Sequence, residues 1–339
     1  MYSSKLRRDN ISRLTRMLLC IVLVSLLTAC NSDGKLTEAT MEKDYEYTQA
    51  DTPVKLSDGI IGDMSVNGEY IYISIINSQG DKMQTLDYMM SLADKSLSEM
   101  TGIDTDYKKD WTFVMKPDDN GNLVQMLRKN DTVQGADHSI LLMKYKSDGT
   151  IECEQDITEF ITQADFTDGD RGDIVEVFPM DNNELVIVMR YQIIVISDNY
   201  RSAQYISLEE GEILSAARMK DDRIVCGIEN DDKHMLQVVN WKRKKWDNKK
   251  LYVDWTFDRL QKEELLDGAQ YDFYYKYRDG MYGVDWKDKV YTEILNYEKA
   301  GVPINLSMER TVLPLQDGRL LVMVFLEDET IELREYVVK

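Results

Sequence analysis

Strongly apolar runs alternate with short polar turns from residue 44 to the end of the chain. In one kind of turn, Asn, Asp or Gly stands just before a strongly apolar strand, as in "PMDNNELVIVMR" (Pro179–Arg190) and "PLQDGRLLVMVF" (Pro314–Phe325). These residue types tolerate the positive φ angles that a tight hairpin needs. The pattern therefore predicts a series of antiparallel β-hairpins, whose turns centre near Gly68, Gly121, Asn183, Asp222 and Gly318.

A second kind of turn alternates with the first, as in "LLMKYKSDGTIE" (Leu141–Glu152). Two alternating turns are expected of a four-stranded meander, where one turn joins the first two strands and the other joins the last two. Turns of the first kind recur about every 50 residues on average, close to the length of one propeller blade. The sequence thus predicts an all-β protein, a β-propeller of four-stranded antiparallel blades, six in number with seven as the alternative.

The burial pattern favours a propeller over a two-layer sandwich. A sandwich strand alternates apolar and polar residues, because one face of each sheet meets water. The stretch "ELVIVMRYQIIVIS" (Glu184–Ser197) is instead apolar at successive positions, and so is Tyr70–Ile76. Strands that are apolar on both faces must be covered on both faces, as blades packed around a ring are.

The propeller domain is predicted to occupy 44–339. Its last unit ends at the chain terminus without an outer strand, and we expect 45–56 to supply that strand and close the ring. This pairing would also cover a sheet edge. One helix is predicted at Thr256–Asp267, where good helix formers are concentrated: Glu263, Glu264, Leu265 and Leu266.

The N-terminus has the pattern of an export signal that ends in a lipidation site. Five Lys and Arg residues within 1–16 precede an apolar stretch of eleven residues, Met17–Leu27, which is too short to span a membrane. Small residues then precede a cysteine. This arrangement resembles the lipobox of bacterial lipoproteins, formed here by Leu27, Thr28, Ala29 and Cys30. The alternative is an ordinary secretory peptide that happens to contain a cysteine.

On the lipoprotein interpretation, 1–29 is removed, Cys30 carries a diacylglyceryl anchor, and 30–43 is a flexible polar tether. The protein would then lie on the outer face of the cytoplasmic membrane of a Gram-positive-like bacterium. Only Cys153 and Cys226 remain as further cysteines of the mature chain, and we expect both to be free thiols rather than a disulfide.

Charge excludes one class of partner. The 339-residue chain has a formal net charge of −20, which argues against nucleic-acid binding. The mature chain would be more acidic still, and repulsion from anionic headgroups predicts that it stands off the membrane. The basic run "WKRKKWDNKK" (Trp241–Lys250) is interpreted as a solvated hairpin tip, with contact to an anionic surface as the alternative.

Candidate chemistry is sparse. The two histidines, His138 and His234, have no partner at metal-ligand spacing, so no metal site and no other cofactor is predicted. The acidic stretch Asp165–Glu176 departs from a calcium loop, because it has no Glu at the twelfth position. Candidate ligand-contact aromatics are Trp241, Trp246, Tyr275 and Trp286, although filling of the blade cores is the preferred interpretation of these rings.

Together, the lipobox, the lead-in "YEY…PVKL" and the stretches "YDFYYKYRDGMYGVDWKDKVYTEILNY" (Tyr271–Tyr297) and "VLPLQDGRLLVMVF" (Val312–Phe325) resemble a known region. It is the N-terminal propeller-like region of clostridial-type extracellular solute-binding lipoproteins. There, the region precedes a two-lobed domain that serves an ABC importer. This chain ends at Lys339 without such lobes, so the resemblance implies a link to solute uptake but not solute capture itself.

The expected function is therefore non-catalytic: an extracytoplasmic binding or interaction module for a protein or carbohydrate ligand, with an ABC importer as a further candidate partner. The rival is a propeller hydrolase acting on glycans, which several acidic residues converging on a central cleft would favour. A third interpretation is a structural or vestigial module of a truncated solute-binding protein.

The lipid anchor is directly testable. We expect the wild-type protein to incorporate a labelled fatty acid during growth and Cys30→Ala to incorporate none, because only the Cys30 thiol would accept the lipid. Autoradiography of the immunoprecipitated protein measures this, and an unlabelled wild type would contradict the anchor.

Overall fold

The computed structural model describes seventeen segments of the chain, and every structural statement below refers to them. They are 34–39, 47–49, 54–55, 60–67, 69–79, 82–94, 96–101, 103, 111–129, 139–162, 174–197, 199–258, 263–278, 280–301, 312–315, 317–325 and 331–338. Cys30 and the rest of the predicted lipobox lie outside them. Among the described residues, no helix is long and apolar enough to cross a membrane.

Four short strands come first in the chain and join blades formed much later. They are β1 (Gly34–Lys35), β2 (Thr37–Glu38), β3 (Tyr47–Gln49) and β4 (Val54–Lys55).

Blades 1 to 3 follow in order, and each contains four consecutive strands. Blade 1 has β5 (Ile60–Asn67), β6 (Tyr70–Gln79), β7 (Lys82–Ser91) and β8 (Leu97–Glu99). Blade 2 has β9 (Trp111–Pro117), β10 (Leu123–Lys129), β11 (Ser139–Tyr145) and β12 (Ile151–Asp156), after which comes the short helix α1 (Thr158–Thr162). Blade 3 has β13 (Ile174–Met180), a 3-10 turn (Asp181–Asn183), β14 (Glu184–Met189), β15 (Gln192–Ser197) and β16 (Ser202–Ser207).

Blades 4 to 6 complete the ring. Blade 4 has β17 (Glu212–Arg218), β18 (Ile224–Asn230), β19 (Lys233–Asn240) and β20 (Lys245–Val253). Blade 5 has β21 (Glu264–Leu266), β22 (Phe273–Tyr277), β23 (Gly280–Asp285) and β24 (Val290–Asn296). Blade 6 has β25 (Val312–Pro314), β26 (Arg319–Phe325) and β27 (Ile331–Val338), and its fourth strand is β3.

The predicted fold class is confirmed: the described residues form six four-stranded antiparallel blades arranged as a propeller. The first strands of blades 2 to 5 contact one another in succession, and β5 of blade 1 contacts β9, so these strands line the central channel. Turns of the first predicted kind join the first and second strands of a blade. Turns of the second kind join its third and fourth strands.

The core consists of six apolar clusters, each between two neighbouring blades. Strand β14 shows how one strand serves two of them. Leu185 and Ile187 pack toward blade 2, whereas Val186 and Val188 pack toward blade 4, and all four are fully buried. Alternate side chains point to opposite faces of a strand, so an unbroken apolar run is what two covered faces require.

The N-terminal part of the chain closes the ring. Strand β3 pairs antiparallel with β27, with Tyr47 opposite Val338 and Gln49 opposite Tyr336. Strand β4 also pairs with β27. Both lie within the 45–56 stretch from which the closing strand was expected.

A second N-terminal segment, Gly34–Ala39, runs along the outer edges of blades 4 and 5, and we call it the strap. Strand β1 pairs in parallel with β20, and β2 pairs in parallel with β24. Leu36 lies between them, 3% exposed, in the apolar cluster that joins these two blades. The strap falls within 30–43, so this part of the predicted flexible tether is paired and packed.

The prediction of a helix at Thr256–Asp267 is wrong for the described part of that segment. Glu264–Leu266 forms β21, the first strand of blade 5, and pairs with β22. Leu265 is buried between blades 4 and 5. Helix propensity is a weak preference of a few tenths of a kcal/mol per residue, and pairing plus burial override it here.

Packing of the strap predicts that substitutions at two adjacent residues have different effects on the free energy of unfolding. Leu36→Ala should lower the free energy of unfolding by about 2–3 kcal/mol, because it removes a buried side chain and leaves a cavity. Thr37→Ala, one position along on the exposed side, should cost less than about 1 kcal/mol. Urea unfolding measures both. Equal, small effects would mean that the strap contributes no stability.

Candidate functional site

Polar turns surround one end of the central channel. They are the turns between the first and second strands of the blades, and they contribute Asn67, Asp118, Asp119, Asp181, Asn183, Asp222 and Asp267. A cavity of about 160 Å³ opens among them, which we call the mouth cavity. Blades 1, 2, 4, 5 and 6 line it, through residues that include Asn67, Asp119, Arg218, Lys220, Asp267 and Pro314.

Local chemistry forms these turns. In blade 2, the Asp118 carboxylate accepts the backbone N–H groups of Asn120 and Asn122, both at 2.9 Å. Asn183 and Asp222 have φ angles of 56° and 69°. Asn and Asp tolerate this left-handed conformation better than most residues. The same residue types that turn the chain therefore bring amide and carboxylate groups to the channel end.

Arg218 is the residue that connects most of the mouth. Its Nε donates to Asp222 at 2.8 Å, and its Nη1 lies 3.3 Å from Asp119 Oδ1 and 3.4 Å from Asn67 Oδ1. Its backbone N–H donates to Asp267 at 2.8 Å. One residue of blade 4 thus contacts blades 1, 2 and 5. Burial disfavours its charge, but Asp119 and Asp222 more than offset this and raise the pKa of Arg218.

Lys116 forms a buried ion pair beside this network. Its Nζ lies 2.9 Å from Asp267 Oδ2 and 4.5 Å from the ring centroid of Phe178. Burial acts to lower the pKa of Lys116, but the charges of Asp267 and Glu176 outweigh it, so the net shift is upward. Asp267 therefore has a cation on one side and the Arg218 backbone N–H on the other.

Lys144 joins blades 2 and 3 in the same way. Its Nζ lies 3.0 Å from Asp118 Oδ2 and donates to Asn183 Oδ1 at 3.0 Å. Glu152 is a more distant partner at 3.5 Å. With Arg218 and Lys116, this lysine provides most of the positive charge that faces the mouth carboxylates.

Two carboxyl groups of the mouth interact directly. A hydrogen bond to Asp119 is the largest cause that raises the pKa of Asp181, followed by partial burial and the charge of Asp119, while Arg218 acts to lower it. Two carboxylates in such contact repel each other when both are ionised, so a shared proton stabilises the pair. Asp119 and Asp181 come from the turns of blades 2 and 3.

The candidate ligand-contact aromatics lie elsewhere. Trp241 and Tyr275 are each 3% exposed and Trp286 is 5% exposed. Trp241 donates its indole N–H to Asp222 O, and Tyr275 stacks on Trp255 with ring centroids 4.3 Å apart. Trp246 is partly buried against the cluster between blades 3 and 4. These three buried rings therefore fill blade interfaces and present no open face to a sugar.

Of the histidines, the acidic stretch and the cysteines considered in the sequence, the described members do not come together in one place. His234 lies on β19, 3.7 Å from Glu229. His138 lies outside the described residues, as does 165–173. Both Cys153 and Cys226 are free, and burial raises the pKa of the Cys226 thiol, which makes it unreactive. Among the residues that the structure describes, no group of three His, Cys, Asp or Glu side chains could hold a metal ion.

The mouth network was not predicted from the sequence. No motif links Arg218, Asp119 and Asp267, which are far apart in the chain. One signal could have found it: the turns of the first kind repeatedly carry Asp or Asn, and in a propeller these turns converge on one end of the channel.

Comparisons with known proteins support the fold. No family model and no curated protein matches the chain. Among solved structures, a chain of the mitotic checkpoint complex superposes with a TM-score of 0.50 at 13% identity, covering 91% of this chain and 98% of that one. A gluconolactonase-like protein gives a TM-score of 0.44 at 12% identity, covering 90% and 95%. The propeller domain of the trilobed protease from Pyrococcus furiosus gives 0.40 at 10%, covering 80% and 78%. At 13% identity, the first of these likenesses bears on the fold alone.

The Arg218 network predicts a strong effect of a charge-conserving change. Arg218→Lys should lower the free energy of unfolding by about 1–3 kcal/mol, because one ammonium cannot reproduce the fork that reaches Asp119, Asp222 and Asn67. Lys220→Arg, an exposed neighbour, is the matched control and should change it by less than about 0.5 kcal/mol. Chemical unfolding at neutral pH measures both, and an unaffected Arg218→Lys would argue against the network.

Proposed function

We propose that this chain is a lipid-anchored, extracytoplasmic propeller that binds a protein partner without catalysis, and that the partner inserts a small polar group into the mouth cavity. The observation that carries the proposal is the pairing of the mouth charges. Arg218 and Lys116 contact Asp119, Asp222 and Asp267 across three blades.

Convergence of acidic residues on the channel end is also what an enzyme would need, but their pairing with cations favours a binding role. Asp222 is fixed in position by Arg218 Nε and Lys242 Nζ, and Asp267 by Lys116 Nζ and the Arg218 backbone N–H. Such an arrangement supports a preformed polar surface rather than groups poised to transfer protons.

The carboxyl pair of Asp119 and Asp181 also argues against glycan hydrolysis. Glycosidases need two carboxyl groups about 5–5.5 Å or about 6.5–9.5 Å apart, with the sugar between them. The pKa of Asp181 is raised chiefly by a hydrogen bond to Asp119, a direct contact that differs from the separated pair that a glycosidase needs.

The size of the mouth cavity supports a macromolecular partner. Small-molecule pockets usually enclose about 300–1,000 Å³, whereas this cavity measures about 160 Å³ and is open to solvent. It accommodates a side-chain amide, carboxyl or ammonium group rather than a whole ligand. The surrounding turns of five blades would then meet the rest of the partner.

The cellular setting of the proposal comes from the N-terminus. The signal-like segment 1–29 and Cys30 support a lipid anchor on the outer face of the cytoplasmic membrane. The resemblance to solute-binding lipoproteins makes the membrane subunit of an ABC importer the first partner to test.

Cross-linked pull-down from native membranes tests this function. We expect Lys220→Glu, at the cavity wall, to lose a partner that the wild type and Lys233→Glu recover. Lys233 is also exposed, but it lies in the turn at the opposite end of blade 4, so it controls for net charge. Equal recovery of the partner by both variants would show that the mouth does not bind it. Glycan hydrolysis that Asp181→Asn abolishes would contradict the non-catalytic role.

A further inference from the structure

The basic run of the sequence lies on the outer edge of blade 4. Trp241–Lys250 contains six Lys and Arg residues and one Asp. It forms the turn between β19 and β20 and most of β20, the outermost strand of the blade before the strap. The cationic residues Lys242 to Lys245 are all exposed.

The strap starts on this same edge. Gly34 pairs with Leu251, directly after Lys249 and Lys250. Lys289, at the end of the equivalent turn of blade 5, also reaches this point, because a Cβ added to Gly34 would lie only 2.7 Å from its Nζ. Cations from two blades and from the strap residue Lys35 thus gather where the strap begins.

Some of these cations have partners, and others do not. Lys35 pairs with Asp254 at 2.6 Å, and Lys242 pairs with Asp222. Burial is the first cause that lowers the pKa of Lys249, and repulsion from Lys289 and Arg223 adds to it, while the charges of Asp247 and Asp285 act in the opposite direction. Within the described chain, four exposed residues of the two turns form no ion pair: Arg243, Lys244, Lys245 and Lys287.

Chain length places the anchor beside this edge. Three residues lie between Cys30 and Gly34, and the four steps from one to the other can span at most about 14 Å. The turn at Lys245 lies six residues along β20 from Leu251, or about 20 Å. A lipid on Cys30 would therefore bring the edge within reach of the headgroups, whereas a free tether of fourteen residues would leave its orientation open.

The outer edge of blade 2 is negatively charged. The exposed outer strand of blade 2 carries Glu152, Glu154 and Asp156. The strongly acidic composition therefore hides an asymmetry, in which a positive region lies next to the strap on an otherwise acidic body. An anionic membrane would attract the first edge and repel the second.

We propose that the outer edge of blade 4 and the adjoining turn of blade 5 bind the phosphate headgroups of anionic lipids and hold the propeller edge-on against the membrane. This basic edge consists of Lys35, Lys242–Lys245, Lys249, Lys250, Lys287 and Lys289. The proposal rests on the lipid anchor of the proposed function, and it replaces the expectation that the body stands off the surface.

Limited trypsin digestion of the natively processed protein in vesicles tests the proposal. We expect cleavage at Arg243–Lys245 to be about five-fold slower or more in phosphatidylcholine vesicles that contain phosphatidylglycerol than in phosphatidylcholine alone, since each lysine near an anionic surface contributes about 1 kcal/mol. Added salt should remove the protection. Lys146, exposed in the equivalent turn of blade 2, is the internal control and should be cleaved equally in both vesicles.

Two sets of variants test which lysines are responsible for the protection by anionic lipid. The double substitution Lys287→Gln with Lys289→Gln should reduce the protection, and it keeps both the tested site at Arg243–Lys245 and the control site at Lys146. Lys233→Gln, at the opposite end of blade 4, should leave the protection unchanged. Equal cleavage in the two kinds of vesicle would overturn the proposal. So would protection by soluble polyphosphate but not by phosphatidylglycerol, because the edge would then bind a polyanion other than lipid.

Failure of the anchor itself is distinguishable. A protein that carries no fatty acid and does not float with vesicles contradicts the lipoprotein assignment of the proposed function. A lipidated protein that floats, but whose basic edge is cleaved equally in both vesicles, contradicts only the edge-on contact.

Discussion

Each blade has two apolar faces, and both are removed from water only when a neighbouring blade covers each side. In β14, successive fully buried side chains pack into two different blade interfaces, so neither face of the strand is exposed to solvent. A single four-stranded sheet of this composition would expose an apolar surface that water disfavours. The blades are therefore stable as a ring. A few polar side chains of the described strands, such as Gln125 and Asp87, are buried within it, whereas the polar turns are confined to its two ends.

This confinement explains the character of the mouth. The turns need Asp, Asn and Gly for their conformation, and the inner strands bring those turns together around the channel. Carboxylates held so close would repel one another without nearby cations. Arg218 and Lys116 supply that compensation from blades 4 and 2, and because they bridge blades they also hold the turns in fixed positions. Stability of the ring and the chemistry of its mouth are thus properties of the same few contacts.

The fold was predictable because its signals are local and repeated. Turn residues such as Asn183 and Asp222, and the unbroken apolar run around Ile187, each indicate a hairpin or a doubly covered strand by themselves. The helix prediction failed at Leu265 because residue preferences carry less free energy than pairing and burial between blades. The mouth network and the strap depend on contacts between distant residues. Leu36, an isolated apolar residue in a polar segment, was the one sign of the strap.

The N-terminal pairings also determine when folding can finish. Lys35 contacts Asp254, 219 residues later, and Thr37 contacts Lys289, 252 residues later. Strand β3 must wait for β27, roughly 290 residues further along. Contacts so distant in sequence form slowly, because a long loop must close before they contribute any stability. During synthesis, the first segments to emerge thus remain unpaired until the last strand arrives, so a chain shortened by a single blade would keep open edges and be prone to aggregation.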